Sequence, residues 1–326
     1  MRLTRKVNDI VLCVRNLRTY FFTEKGEVAA VDDISFDLKR GEILCIIGES
    51  GSGKTATALS ILGLIDKPGA IVSGSILFNG TDIAKLSEGK MRNLRGNKIS
   101  MVFQDASSSL NPVLRIGEQI TESLVQHLKL DKKQTRERAV ELLASVGISQ
   151  PEERLDEYPH QFSGGMKQRV MIAMALSCNP EVLIADEPTT ALDVTVQAQV
   201  LDIFKELKNS TSVLYITHDL GVVSEIADRI IIMYAGKFLE MGDAREVLMD
   251  PKHPYTKGLV GCLPSGKIKG RLVSIQGSIP NLIDLPEGCV FCPRCPDAME
   301  ICRKETPSET GISDKHSVRC HLYGST

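Results

Sequence analysis

Gly48-Glu49-Ser50-Gly51-Ser52-Gly53-Lys54-Thr55 decides the reading of this chain. The stretch fits the spacing G-x-x-x-x-G-K-[ST], in which each residue type has a physical task. The glycines let successive backbone N–H groups turn inward around phosphate oxygens. The helix expected to begin near Lys54 points its positive end at the same anion. Lys54 is placed to reach the β- and γ-phosphates, and the Thr55 hydroxyl to ligate Mg²⁺. The flanks agree: Glu42–Ile47 is a short apolar run that reads as a buried strand, and Thr55–Leu64 has helical periodicity.

Working outward, Val11–Leu17 and Val31–Leu38 read as strands around the turn Glu24-Lys25-Gly26-Glu27, and the early strands as antiparallel. Ser75–Asn79 and Lys98–Gln104 are further strands. From 105 to 179 the pattern is helical, over Ile116–Lys129, Lys132–Val146 and Gly165–Ser177. Strands then return at Val182–Ala185, Val213–Thr217 and Ile230–Tyr234, with a helix over Val194–Leu207. Strands alternating with helices predict an α/β fold whose sheet is partly parallel and covered on both faces. After Asp250 eight prolines, among them Pro251, Pro254 and Pro280, predict a loop-rich extension over 251–326.

Val182-Leu183-Ile184-Ala185-Asp186-Glu187 is an apolar strand ending in two carboxylates. Two adjacent acids there are costly without something positive nearby, and open parallel sheets bind ligands at that edge. Asp186 suits holding Mg²⁺ and Glu187 polarising the water that attacks the γ-phosphate. The plain alternative is a solvated acidic turn. His218 follows another buried strand, which brings it to the same edge. Phe162-Ser163-Gly164-Gly165-Met166 is a second glycine-rich turn opening a helix. Ser163 is a fair N-cap in its own right. But the two glycines also bare N–H groups to an anion, and one nucleotide does not need two such loops from one chain. This turn is therefore expected to close on a nucleotide held by another subunit.

Composition narrows the class. The 326 residues suggest about two domains. Hydrophobic residues are 42% and charged residues 25%, ordinary globular values that argue against disorder. The net charge of −2 offers no basic field for nucleic acid, and none is expected as a partner. No uncharged apolar run reaches the ~18 residues of a membrane span. The first residues lack the apolar core of a signal peptide. The chain is expected to stay in the cytosol.

The phosphate loop, Gln104, the Ser-Gly-Gly turn, the Asp-Glu strand end, Ala191-Leu192-Asp193 and His218 occur in this order. Together they resemble the ATPase subunit of ABC transporters over roughly residues 8–250. The resemblance implies a P-loop NTPase (RecA-like) core with an antiparallel β subdomain and a helical signature subdomain at about 105–179. It implies two such subunits facing head to tail, each ATP lying between one phosphate loop (Gly48, Ser50, Gly51, Ser52, Gly53, Lys54, Thr55) and the other subunit's signature turn. Ser163, Gly164 and Gly165 are then the signature in trans, and Asp193 lies in the loop that crosses the seam. Thr55, Gln104 and Asp186 hold Mg²⁺, and Glu187 with His218 carries hydrolysis. The sequence departs from the usual signature by reading Met166 where a glutamine is common. The adenine-stacking aromatic is one of Tyr20, Phe21 and Phe22, and spacing in the relatives favours Phe21.

Tyr158-Pro159-His160-Gln161-Phe162, Asp186–Thr195, His253-Pro254-Tyr255-Thr256 and the Cys-rich tail look like the dipeptide/oligopeptide importer branch. That likeness implies an uptake system with two transmembrane permeases, an extracytoplasmic peptide-binding protein and a second, non-identical ATPase subunit. It places the chain peripherally on the inner face of the membrane. ATPases of nickel and sugar importers are similar, so another cargo stays open, as does a soluble ABC ATPase.

Five of nine cysteines fall at 289, 292, 295, 302 and 320. In a reducing compartment such clustering points to metal ligation over disulfides. An iron–sulfur cluster, a zinc ion and free thiols all remain open on spacing alone. Members of the branch show C-x5-C-x6-C plus a late Cys and can carry a 4Fe–4S cluster. That resemblance implies Cys289, Cys295, Cys302 and Cys320 as its ligands.

Overall fold

A computed structural model describes residues 9–190, 192–262 and 275–324. The chain falls into two compact units. One holds Leu38–Glu42 and Lys85–Tyr215, with the stretch up to Leu12; the other holds Cys13–Asp37, Ile43–Ala84 and Ile216–Thr326. Ala191 of the quoted motif lies outside the described residues.

The second unit carries most of β1 (Ile10–Thr23) and β2 (Gly26–Lys39), then β3 (Ile43–Ile47), β4 (Gly69–Phe78) and β5 (Thr81–Asp82). A four-stranded sheet has the order β2-β1-β4-β5. The chain threads next through β6 (Ile99–Val102), β7 (Val182–Asp186) and β8 (Ser212–Thr217) before β9 (Arg229–Tyr234), β10 (Lys237–Asp243), β11 (Glu309–Ser313) and β12 (His316–Arg319). Within the second unit the order β11-β12-β10-β9-β3 holds. β3 and β9 run parallel, with Leu44 opposite Arg229 and Ile47 opposite Ile232. β9 and β10 are antiparallel, and β12 adds antiparallel to β10. All five residues of β3 are buried. That explains a continuous apolar run without alternation, since a parallel strand is covered on both faces.

The 251–326 segment, expected as loop-rich, contributes two strands and the helix Pro254–Gly261. Pro254 stands at the first helical position, where a missing N–H costs nothing. The buried Glu240 carboxylate on β10 accepts from the backbone N–H groups of Lys252 (2.7 Å) and His253 (2.8 Å), and pairs with His316 Nε2 at 2.7 Å. One carboxylate thus ties β10, the approach to the helix and β12 together.

In the first unit β6 and β7 run parallel, Ile99 opposite Val182 and Val102 opposite Ala185. Helices Ile116–Ser123, Lys132–Ser145 and Gly164–Leu176 form the expected helical region. The run predicted over Ile116–Lys129 is α-helical only to Ser123 and then widens to a π-turn over Leu124–Leu128. Phe204 and Tyr215 are fully buried and meet edge-on, ring centroids 5.1 Å apart. Offset and edge-on aromatic pairs add stabilisation beyond their area. Among the described residues no helix is long and apolar enough to cross a membrane.

Candidate nucleotide site

In the second unit β3 ends at Ile47 and the chain turns through the glycine-rich loop into helix Lys54–Leu62. Gly51 has φ +80° and Gly53 φ +105°, a region L side chains rarely adopt. A Cβ at Gly53 would also strike the Ala30 carbonyl, and one at Gly48 the Met233 carbonyl. Lys54 is buried; its Nζ donates to the carbonyls of Gly48 (2.8 Å) and Glu49 (2.9 Å). The ammonium is therefore aimed across the loop. Ser52 Oγ is buried and has no hydrogen-bond partner. Ser50 and Thr55 are exposed at the mouth of the loop. Such a donor-lined cradle with an orphaned hydroxyl suits a phosphate and its cation.

The three candidate aromatics differ. Tyr20 donates to Asp32 Oδ1 at 3.0 Å. The half-buried Phe21 ring occupies the space a Cβ on Gly69 would need, and Phe22 is 46% exposed. His218, exposed, follows the end of β8.

The first unit carries the acids. β6 and β7 are parallel neighbours, so the residues just past their C-terminal ends stand side by side. Gln104 Nε2 donates to Glu187 Oε2 at 3.1 Å, and Thr190 Oγ1 donates to the same oxygen at 3.1 Å. Glu187 has φ +47°, which for a non-glycine residue costs on the order of 1 kcal/mol or more. The strained turn, with two donors on one carboxylate oxygen, fixes the direction of the other. Asp186 at the end of β7 is buried.

Ser163 caps helix Gly164–Leu176, its side chain accepting from Met166 N–H at 3.3 Å. A Cβ at Gly165 would meet Val196 Cγ1 at 2.5 Å, so packing demands glycine there. At exposed Gly164 a Cβ would meet nothing within 4 Å. Packing within the chain therefore gives no reason for a glycine at 164. Asp193 caps helix Val194–Leu207, accepting from Val196 N–H at 3.0 Å. The capping reading of Ser163 and Asp193 holds alongside any role toward a partner.

In the tail, Cys289, Cys302 and Cys320 are buried. Burial pushes the Cys289 thiol up to about 11, and the charges of Cys302, Cys320 and Cys295 push it the same way. Cys295 is likewise raised to about 11, by burial first and by Cys320 and Cys302 after it. The four thiols are thus electrostatic neighbours. Among the described residues, however, no group of three or more His, Cys, Asp or Glu side chains converges closely enough to hold a metal ion. That does not support the metal centre expected on Cys289, Cys295, Cys302 and Cys320, as iron–sulfur or as zinc.

One element near the loop was not legible in the sequence. His253 caps helix Pro254–Gly261, its Nδ1 accepting from Tyr255 N–H at 3.0 Å, and Tyr255 Oη accepts from Glu49 N–H at 3.1 Å. Burial lowers the His253 pKa to about 3. Below pH ~6.5 the unfolded chain takes up a proton that the folded chain refuses, so stability falls as pH drops from there toward 3. The expected loss between pH 7 and 5 is about 2 kcal/mol. His253→Asn, which can still cap the helix, should flatten that fall in urea-unfolding midpoints; an unchanged slope would assign it elsewhere.

The glycine-rich cradle after a buried parallel strand, and the acid pair after another, define a nucleotide-hydrolysing P-loop ATPase. Comparison with known proteins narrows the class. The ABC transporter family profile matches residues 31–190, and the profile of the oligopeptide/dipeptide transporter C-terminal region matches 239–302. The chain is 52% identical over 96% of its length to the oligopeptide transport ATP-binding protein AppD of Bacillus subtilis, covering 97% of that protein. It is 48% identical over 95% of its length to the dipeptide transport ATP-binding protein DppD of Escherichia coli, covering 96% of it. A dimeric ATP-binding cassette, MJ0796, in a post-hydrolysis state bound to ADP and Pi, superposes with a TM-score of 0.65 at 27% identity, covering 72% of this chain and 99% of that one. This chain belongs to the family of ABC transporter ATP-binding proteins, and is an ATPase coupled to transport.

Proposed function

We propose that the protein hydrolyses ATP to power uptake of di- or oligopeptides through a membrane ABC importer. The observation that carries this reading is the near-full-length likeness to proteins named for oligopeptide and dipeptide transport, which includes the C-terminal region. The relatives differ between the two peptide classes, so the cargo is set at the level of peptide.

In this reading the chain divides at 8–250 and 251–326. Gly48, Ser50, Gly51, Ser52, Gly53 and Lys54 hold the phosphates of ATP, and Phe21 stacks on adenine. Thr55, Gln104 and Asp186 hold Mg²⁺, which neutralises charge on the β- and γ-phosphates. Glu187, turned by Gln104 and Thr190, takes the proton of the attacking water. His218 acts with it at the γ-phosphate. Ser163, Gly164 and Gly165 meet the nucleotide of a second, non-identical ATPase subunit, with Asp193 beside the seam; the open space at Gly164 supports an approach of this kind. Binding of ATP favours the closed pair of subunits, and hydrolysis releases it, a population shift driven by differential affinity. The pair works beneath two transmembrane permeases at the inner face of the membrane, served by an extracytoplasmic peptide-binding protein.

The test is reconstitution with those permeases in liposomes. ATP-dependent accumulation of a labelled oligopeptide is expected; accumulation of nickel ions with no peptide uptake would overturn the cargo. The four thiols are proposed to hold a 4Fe–4S cluster that braces the tail. Their clustering in the sequence and the likeness to the peptide-importer branch support this. Iron and inorganic sulfide in equal amounts are expected in anaerobically purified protein. Zinc without sulfide would replace the cluster with an ion.

A further inference from the structure

The ring of contacts around Glu49 joins the cysteine tail to the phosphate loop. Arg294, between Cys292 and Cys295, sends Nη1 to both carboxylate oxygens of Glu49, at 3.2 and 3.0 Å. Its side chain is only 6% exposed. The remaining donors are engaged too: Nε bonds the Gln276 carbonyl at 2.8 Å, Nη2 the Ile275 carbonyl at 3.4 Å, and Nη1 also reaches Tyr234 Oη at 3.3 Å. The guanidinium lies 5.7 Å from the centroid of the Tyr234 ring and 6.0 Å from that of Phe291. Those rings pack edge-on against each other, and Tyr255 joins them at 4.8 Å from Tyr234. A cation held by five polar contacts between two rings has little freedom to move.

Glu49 is the second residue of the phosphate loop, and it is fixed at three points. Its N–H goes to Tyr255, its carbonyl to Lys54 Nζ and its carboxylate to Arg294. We propose that Arg294 is a positioning residue for nucleotide binding: it draws the Glu49 carboxylate away from the phosphates and so keeps the Lys54 ammonium for them. The chemistry follows from charge. An uncompensated carboxylate in the loop would repel a polyphosphate and compete for the nearest ammonium, which already bonds the Glu49 carbonyl. Through this one ion pair the conformation of the 289–302 segment bears on affinity for ATP.

The inference rests on the ATPase reading above, and the experiment separates the two. Full-length variants are assembled with the second ATPase subunit and permeases, and steady-state MgATP hydrolysis is measured. Lys54→Ala is the control, run with a second ATPase subunit whose own phosphate-loop lysine is also replaced by Ala: activity at wild-type KM in that assembly would sink the ATPase reading itself. Arg294→Gln is expected to raise KM for ATP about tenfold, with kcat within about twofold, because uniform binding is lost while the reacting groups stay in place. Glu49→Gln placed on top of Arg294→Gln removes the stray carboxylate and should return KM to within about threefold of wild type. An unchanged KM in Arg294→Gln, a fall in kcat alone, or a double variant no better than the single would overturn the proposal. Thermal unfolding checks folding. Should Arg294→Gln fail it, Arg294→Lys keeps the charge, and KM within about threefold of wild type is expected; a rise of about tenfold there would equally overturn the proposal.

Discussion

Glu187→Gln should give a protein that binds MgATP within a few-fold of wild type yet hydrolyses it about 10²–10⁴ times more slowly. The amide is nearly isosteric with the carboxylate. Its oxygen still accepts from Gln104 Nε2 and Thr190 Oγ1, which donate to Glu187 Oε2 at 3.1 Å each. The turn at φ +47° is therefore retained. What disappears is the charge that, in the proposed role, accepts a proton from water. An amide cannot take that proton, so the step stalls while binding survives. In the proposed cycle, where ATP favours the closed pair and hydrolysis releases it, the nucleotide-bound complex should accumulate. Filter binding and phosphate release on the same sample decide the matter. Wild-type turnover in this variant would remove Glu187 from its role, and loss of binding would make the residue a structural prop of the turn.

The fold was legible wherever a strand is covered on both faces. Ile43–Ile47, Val182–Asp186 and Ser212–Thr217 are unbroken buried runs, and the sequence shows them as such. Helix Val194–Leu207 starts directly after the Asp193 cap, as its spacing suggests. The tail was harder. β12 is four residues long and alternates buried with half-buried, which carries too little periodicity to detect. Its stability comes from β10 and from His316 pairing with Glu240, contacts far apart in sequence. Prolines in this region read as breakers, yet Pro254 begins a helix because the first position needs no N–H.

The site divides in the same way. Glycine positions in the phosphate loop follow from backbone sterics, and φ of +80° and +105° at Gly51 and Gly53 match that reading. Gln104 carried no local signal and entered only through family likeness; the parallel pairing of β6 with β7 is what brings it to Glu187. Arg294 was silent, and Tyr255 entered only as part of a branch motif with no contact assigned, for a simpler reason. They reach Glu49 across 245 and 206 residues of chain, and spacing rules see only neighbours. The tail's cysteines drew attention in the sequence, while the arginine beside them makes the contact with the loop.

Lys54→Ala should abolish nucleotide capture at ordinary concentrations, with affinity down about 100-fold or more. Hydrogen bonds to a charged group contribute about 1.5–3 kcal/mol each, and each 1.4 kcal/mol is a factor of ten. The ammonium is buried, so its field at a phosphate is less screened than a surface lysine's. Removing it also strands the carbonyls of Gly48 and Glu49, which accept from Nζ at 2.8 and 2.9 Å. Two outcomes then compete. Should the loop relax, affinity falls because the cradle is lost; should it hold its shape, affinity falls because the point charge is lost. Lys54→Arg separates them, since it restores charge in a planar fork too large for the Nζ position. Partial recovery of ATP binding in Lys54→Arg would assign most of the loss to charge, and none would assign it to shape. Equilibrium dialysis with labelled ATP reads both variants. An Ala variant that binds ATP like wild type would mean that the phosphates lie somewhere other than the loop Gly48–Thr55.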